Sequence, residues 1–522
     1  MSEKSQDVTL APRVIGAETE YWLFGKARNI LSDPFFGGPG TKFISLCFPS
    51  ECSLPNVYQG SSETFIQSPG GFSANGARVY IDSGEHIEYA TVEGRGAYAA
   101  RVNEMAGDML MEQMVRYAAE HWSEIWPELM PDMVPVIYKT NTDAVHHSSG
   151  FHENYLVRRE TFNRLVSSKS GAGMILAAHL ISRILYAGNG IFVHGAAPNF
   201  RLSQRAGVMH LVLNMQTTNA RAIINQRDEP HGDPEKYGRL HLIIGDSTLL
   251  DVGSFLKYWT TALVLDMIED GFITEPLCTS EEEIMKALSV FNSDYRLRAE
   301  SSLGDKNWSI VSLQKRFRED AGKFVTERGR MNAEAELGFL LWDEVLECAE
   351  RPDAHLLLAP LVDWAAKLAV AEGALARRNF GLDVPIDQKL PGRGSKTSTV
   401  FSLLKKIDLE FHSLDDGGIA RKLIGEGKAK TLISQDEVGA AMTYPSLAHQ
   451  CYPEALRRCR GHARADWMKR ISQIATSAGK PILLSVDWAP LKCEWKGIEN
   501  SKLFNLILLD PLDERDVRAA LS

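Results

Sequence analysis

The stretch NGARVYIDSGEHIEYATVE, Asn75–Glu93, decides how the chain is read. Two runs in it alternate polar with apolar residues around a Ser-Gly-Glu break, the pattern of two short strands. In a strand, residues i, i+2 and i+4 share a face, so Arg78, Tyr80 and Asp82 point the same way and Glu88 follows on the second strand. Such a face either looks into solvent or, if half buried, needs a ligand or mutual contacts to satisfy its polar groups. Both readings stand for the segment alone.

Two further stretches carry the same kind of chemistry. GAETEY (Gly16–Tyr21) sets Glu18 and Glu20 on one strand face. Like charges placed so are costly unless a cation lies between them or the strand is a solvated edge. INQRDEPHGDPEKYGRLHLIIGD (Ile224–Asp246) gathers Arg227, Asp228, Glu229, His231, Asp233, His241 and Asp246 into about one loop and one strand. Carboxylates with an occasional imidazole suit Mg²⁺ or Mn²⁺, whereas zinc favours more His and Cys. A surface loop accounts for Asp233, Glu235 and Lys236; His241, which precedes the apolar LIIG, reads as core or as ligand. Together the stretches place carboxylates on several strands with arginines nearby, a suitable interior for a metal-nucleotide.

Around these motifs the chain divides by pattern. From Arg13 to about Gly253 it is strand-rich, with candidate strands at Ala77–Ser83, His86–Thr91, Val134–Thr140, Glu153–Arg158, Gly190–His194, His210–Thr217 and Arg239–Gly245. Helical periodicity marks Tyr98–Trp122, with Val102, Met105 and Met109 on its apolar stripe, and Gly173–Tyr186. After Gly253 helices dominate: Ser254–Glu269, Ser280–Phe291, Ala333–Ala349 and Asp353–Leu375. This order is α+β rather than repeating βαβ. Ser32–Ser73 and Asn379–Ser398 read as loops. A boundary near Ser434–Glu437 precedes a tail with a basic helix, Pro453–Arg470, and strands at Ile482–Trp488 and Leu503–Leu509. The expected division is therefore a catalytic domain over 13–432 and a small C-terminal domain over 433–522.

Composition excludes several classes. Of 522 residues, 44% are hydrophobic and 24% charged, the balance of a globular protein with a sizeable core rather than a disordered, collagen-like or disulfide-stapled chain. A net charge of −10 argues against a dedicated nucleic-acid binder. The seven cysteines are scattered without zinc-site spacing and read as reduced thiols. No signal-like core or membrane-length apolar run occurs, so a cytoplasmic protein without membrane contact is expected. GGPGTK (Gly37–Lys42) and GRGSKTS (Gly392–Ser398) fail the P-loop pattern, because lysine never directly follows the final glycine.

GAETEY, NGARVYID…EYAT, KTNTD, HENYLV, LSQRA, INQRDEPHGDPEKYGRLHLIIGDS, LVDWAAK, RCRG and VDWAPLK, in this order, resemble the Pup ligase and Pup deamidase/depupylase family. That family belongs to the glutamine-synthetase-like carboxylate-amine ligases. The resemblance implies a mostly antiparallel sheet cradling ATP and Mg²⁺, backed by helices, with a small C-terminal α/β domain completing the nucleotide site. It implies Glu18, Tyr80 and Glu88 as Mg²⁺ ligands with His241 as a further metal contact. Arg78, Thr91 and Trp488 would contact ATP, Arg227 a phosphate, and Asp82 would be the catalytic carboxylate. The partners it implies are a Pup-like modifier and lysine-bearing proteins.

The two branches of that family differ by a long loop in the depupylases between the ETEY and NGAR motifs. Here that segment is of intermediate length, and VDWAPLK is closer to the ligases. The expectation is therefore an ATP-dependent ligase. A depupylase or deamidase of the same fold, a non-catalytic homologue, and a ligase for a small amino acid or biosynthetic peptide are the rivals. Departures fall at Ile87 and Val92, where the family has proline, at Gly207 in place of aspartate, and at Phe151 in place of cysteine. The last two are expected where substrate is met.

Overall fold

The computed structural model describes residues 12–27, 30–31, 44, 57–58, 70–82, 84–121, 133–142, 147–167, 170–195, 200–217, 219–390, 398–443, 460–478, 482–486, 490–495 and 504–507. Its organising element is β1 (Val14–Ala27), long enough to serve two neighbourhoods. β2 (Gly70–Ser73), β3 (Arg78–Asp82) and β4 (His86–Ala90) lie on one side of it. β5 (Met133–Tyr138) pairs with its C-terminal half, and β6 (Phe151–Arg158) flanks it on the other side. β7 (Leu211–Asn214), β8 (Ala222–Asn225) and β9 (Tyr237–Leu242) complete that side. The order β7-β8-β9-β6-β1-β4-β3-β2 continues to Val57–Tyr58 in a twelve-stranded sheet. Pairing is antiparallel apart from β7 with β8. The α+β class and the mostly antiparallel cradle are as expected.

Behind the sheet lie α1 (Ala97–Glu120), α2 (Ala172–Ser182) and α3 (Asp251–Glu269). Alanines open α1 and favour a helix, but its packing departs from the expected stripe. Val102 is buried as anticipated, whereas Met105 and Met109 are only partly covered. The buried face instead carries Arg101, Glu104 and Asp108. These charges survive burial because partners arrive from distant segments. Lys139 Nζ donates to Glu104 at 2.7 Å and to Asp108 at 2.8 Å, and Arg101 meets Asp251 at 3.2 Å. Arg183 and Glu153 pair in the same layer, with Arg183 Nη1 2.8 Å from Glu153 Oε2.

Other departures have local causes. The single helix expected over Asp353–Leu375 is two, Ala354–Leu358 and Asp363–Ala376. Pro360 interrupts them, and the Asp363 carboxylate accepts from the Leu249 and Leu250 amides. Helices Ile310–Arg328 and Val400–Phe411 were not anticipated, although each carries a Ser/Thr cap, Ser309 and Thr399. Part of the expected loop Ser32–Ser73 is strand. Gly70 faces Tyr80, and a Cβ there would lie 2.3 Å from the Val79 carbonyl oxygen. In the tail, α4 (Arg460–Ala478) covers the described part of the expected basic helix and runs on past Arg470, while Pro453–Cys459 lie outside the described residues. Ile482–Val486, Pro490–Trp495 and Phe504–Ile507 form a three-stranded antiparallel sheet. Among the described residues no helix is long and apolar enough to cross a membrane.

Candidate active site

The register of the central strands lines the decisive residues up in rows. Tyr80 opposes Glu88, and Glu88 opposes Glu20. One step along, Arg78 opposes Ala90, Ala90 opposes Glu18, and Glu18 opposes His152. Directly opposed side chains in neighbouring strands lie within contact range, so residues far apart in sequence converge. Ala90 takes up little space in the second row, leaving a hollow between Arg78 and Glu18. The turn joining β3 to β4 is made by Gly84 and Glu85, both with positive φ, 81° and 65°.

These rows floor a cavity of about 480 Å³. Glu18, Arg78, Tyr80, Asp82, Glu88, Thr91, Arg227 and His241 all line it. Of the anticipated site residues, Trp488 lies outside the described residues. Thr91 has a structural bond as well, its Oγ1 accepting from the Ala17 amide at 2.9 Å. Arg227 sits at the rim, half exposed, 3.8 Å from Glu229.

The acids fall into two groups rather than one. Glu18, His152 and His241 each offer a ligand atom within 4.8 Å of one another, as do Glu20, Asp82 and Glu88. Tyr80 belongs with the second group, its hydroxyl donating to Glu88 Oε1. Glu20 and His152 were absent from the implied ligand set. The two-residue spacing from Glu18 pointed to Glu20, whereas His152 becomes a neighbour only once β6 pairs with β1. Arg239 was also missed. Its Nη1 reaches Glu18 at 3.2 Å and Asn154 at 2.9 Å, and its Nη2 reaches Glu229 at 3.3 Å.

Electrostatics separates the groups. Burial opposes ionisation of Glu18, but the His152 imidazole at 3.1 Å and the Arg239 guanidinium at 3.2 Å hold its carboxyl well below the usual range. Glu88 is pushed well above that range by burial and then by the negative charges of Glu18, Asp82 and Glu20. The Tyr80 phenol is likewise raised well above its usual value by burial and the Glu88 and Glu18 charges. Burial lowers His241 to about 4, leaving its ring neutral near pH 7. Neither ring nitrogen of His241 has a hydrogen-bond partner among the described residues; Nε2 lies 3.6 Å from Glu18. Crowded oxygen donors, with a neutral, unpartnered imidazole close by, fit a hard divalent cation such as Mg²⁺.

The departures from the resemblance resolve differently. Ile87 and Val92 are buried in the core. Phe151, expected near substrate, is fully buried, and the Lys257 ammonium lies 3.5 Å from its ring centroid. That contact helps satisfy a buried cation, so Phe151 does not form a substrate surface. Gly207 lines a second cavity of about 510 Å³, together with Arg201, Gln204 and Asn292.

Comparison with known proteins places this architecture. It matches the crystal structure of the complex between the prokaryotic ubiquitin-like protein Pup and its ligase PafA, with a TM-score of 0.75 and 25% identity, covering 98% of this chain and 92% of that one. PafA in complex with ADP gives a TM-score of 0.68 at 26% identity, covering 87% and 89%. The fold is thus that of an enzyme class built on a helix-backed antiparallel cradle. Residues 50–472 match the family described as Pup-ligase protein, and the chain belongs to that family. Its curated relatives include the Depupylase of Acidothermus cellulolyticus, 35% identical over 72% of this chain and 69% of the relative. They also include the Pup--protein ligase of Micrococcus luteus, 31% identical over 97% of both chains.

Proposed function

We propose that the chain is an ATP- and Mg²⁺-dependent ligase that activates a glutamate side-chain carboxylate of a Pup-like modifier as an acyl phosphate and joins it to a lysine amine. The observation carrying this reading is the convergence of Glu18, Arg78, Tyr80, Asp82 and Glu88 on one cavity of a PafA-like fold, with Glu20 clustered beside Asp82 and Glu88. A carboxylate is a poor acyl donor near pH 7, so the reaction needs phosphoryl transfer and a place for the charge it develops.

Bound Mg²⁺ supplies positive charge against the phosphate oxygens. Glu20, Asp82 and Glu88 with Tyr80, and Glu18 with His152 and His241, are the residues that would hold it. Arg78, Thr91 and Trp488 would contact the nucleotide, and Arg227 a phosphate. The Arg78 guanidinium lies 4.4 Å from the Tyr80 ring centroid, which fixes its direction across the floor. Asp82, at the open end of its row, takes the proton that the lysine ammonium must lose before attack. Residues 433–522 form the small unit that completes the nucleotide site, a reading supported by Arg460 at the cavity wall. The cytoplasm is the compartment proposed.

Incubation with ATP, Mg²⁺, a Pup-like modifier ending in glutamate and a lysine-bearing protein tests the reading. Conjugate and stoichiometric ADP are expected. Cleavage of a preformed conjugate without matching ADP release instead selects the hydrolase, the reading favoured by the 35% identical depupylase.

A further inference from the structure

The chemistry proposed above uses no residue of the RCRG motif, Arg458–Gly461, yet Arg460 lines the cavity. Its side chain is almost wholly buried and bridges two segments that meet nowhere in sequence. Nε and Nη2 donate to Glu93 Oε1 at 2.9 and 2.7 Å, and Nη1 donates to the main-chain carbonyl of His231. Glu93 stands two residues beyond Thr91, at the exit of β4. His231 ends the Arg227–His231 rim loop.

Arg464, one turn further along α4, also docks on Glu93, with Nη2 2.5 Å from Oε2, and its Nε donates to the Gly76 carbonyl at 3.0 Å. It does not line the cavity. Between the two arginines, a Cβ on Gly461 would lie 2.2 Å from Val92 Cγ2, so the helix approaches as closely as a glycine allows. The rim loop is under local constraint. His231 has φ +46°, a region that L residues rarely occupy without outside support. The loop is held at Glu229 by Arg239 and at His231 by Arg460.

We infer that Arg460 is a positioning residue: by bridging Glu93 and the His231 carbonyl it holds the Arg227–His231 loop against the cavity rim, so that seating of α4 sets nucleotide affinity. This rests on the nucleotide reading of the cavity. Among the described contacts, Arg460 and Arg464 both anchor the helix on Glu93, but only Arg460 also reaches the rim loop. That division separates the role of Arg460 from general docking. Lysine at 460 keeps a charge for Glu93 but lacks the planar fork needed to serve both acceptors.

The test is calorimetric titration of the full chain with ADP in the presence of Mg²⁺, alongside thermal unfolding without nucleotide. R460A is expected to weaken ADP binding roughly tenfold or more, and R460K to recover most of the unfolding midpoint but little of the affinity. R464A is expected to lower the midpoint with a smaller loss of affinity. R460A added to R227A costs little further affinity, because the two act through one loop. ADP binding by R460A equal to wild type overturns the inference. So does an equal loss in R464A, or full additivity with R227A. If wild type binds no ADP, the nucleotide reading itself fails and takes the inference with it.

Discussion

The two faces of the central sheet handle buried acid in opposite ways. On the helix side, Glu104, Asp108 and Glu153 each meet a lysine or arginine. Although burial opposes it, the charges of Lys139, Lys257 and Arg101 hold Glu104 below the usual carboxylate range. On the cavity side, Glu20, Asp82 and Glu88 crowd together, and Glu88 is forced upward by burial and its neighbours. Paired acids behind the sheet fix its position. The crowded acids in front are an arrangement that a bound cation would relieve, and that difference separates structural acids from those of the proposed chemistry.

The comparison is broken most severely at Asp82. Asp82→Asn is expected to lower conjugation roughly 10²–10⁴-fold, measured as conjugate formed per minute, with the unfolding midpoint near wild type. A rear-face substitution should do the reverse. Lys139→Met leaves Glu104 and Asp108 buried without their ammonium, costing about 3–5 kcal/mol, read by chemical denaturation. A denaturation midpoint as high as wild type would remove the distinction between the faces.

Glu88→Gln sharpens the contrast at smaller scale. Replacing a carboxylate by an amide relieves repulsion, so the metal-free protein should melt a few degrees higher while losing most of its stabilisation by added Mg²⁺. Failure of Mg²⁺ to stabilise even the wild type would sink the cation reading.

The smallest effect is the pH response, whose sign differs between the faces. Glu88 has its folded pKa raised, so its contribution is fully present below the unfolded value and is lost as pH rises through the folded one. Glu104 has its folded pKa depressed, so its contribution is present above the unfolded value and is lost as pH falls through the folded one. Metal-free melting curves across mildly acidic to neutral pH should therefore decline less with rising pH in Glu88→Gln than in wild type. Glu104→Gln should instead flatten the decline at low pH.

The front face was largely legible in the sequence, and the rear was not. Arg78, Tyr80, Asp82 and Glu88 follow from alternation within one hairpin, and Glu18 and Glu20 from the same rule one strand earlier. His152 and Arg239 needed the pairing of β6 and β9, which no local pattern states. Nothing in the helical pattern of α1 marks Arg101, Glu104 and Asp108 for burial, because their partners Lys139 and Asp251 stand well outside the helix. The broken helix at Pro360 was readable from proline chemistry, yet periodicity on either side masked it. The role of Arg460 depends on a contact made across most of the chain's length.

Glu18 belongs to one ligand group and Glu20 to the other, and both hang from a single strand two residues apart. The offset between the groups is therefore set by backbone pitch, about 7 Å, and not by side-chain reach. β1 acts as a ruler with its divisions cut in peptide units. A one-residue insertion between the two glutamates would not lengthen that ruler slightly. It would turn one glutamate through the sheet, toward the layer of Tyr21 and Asp108, and leave the cavity with half its scale.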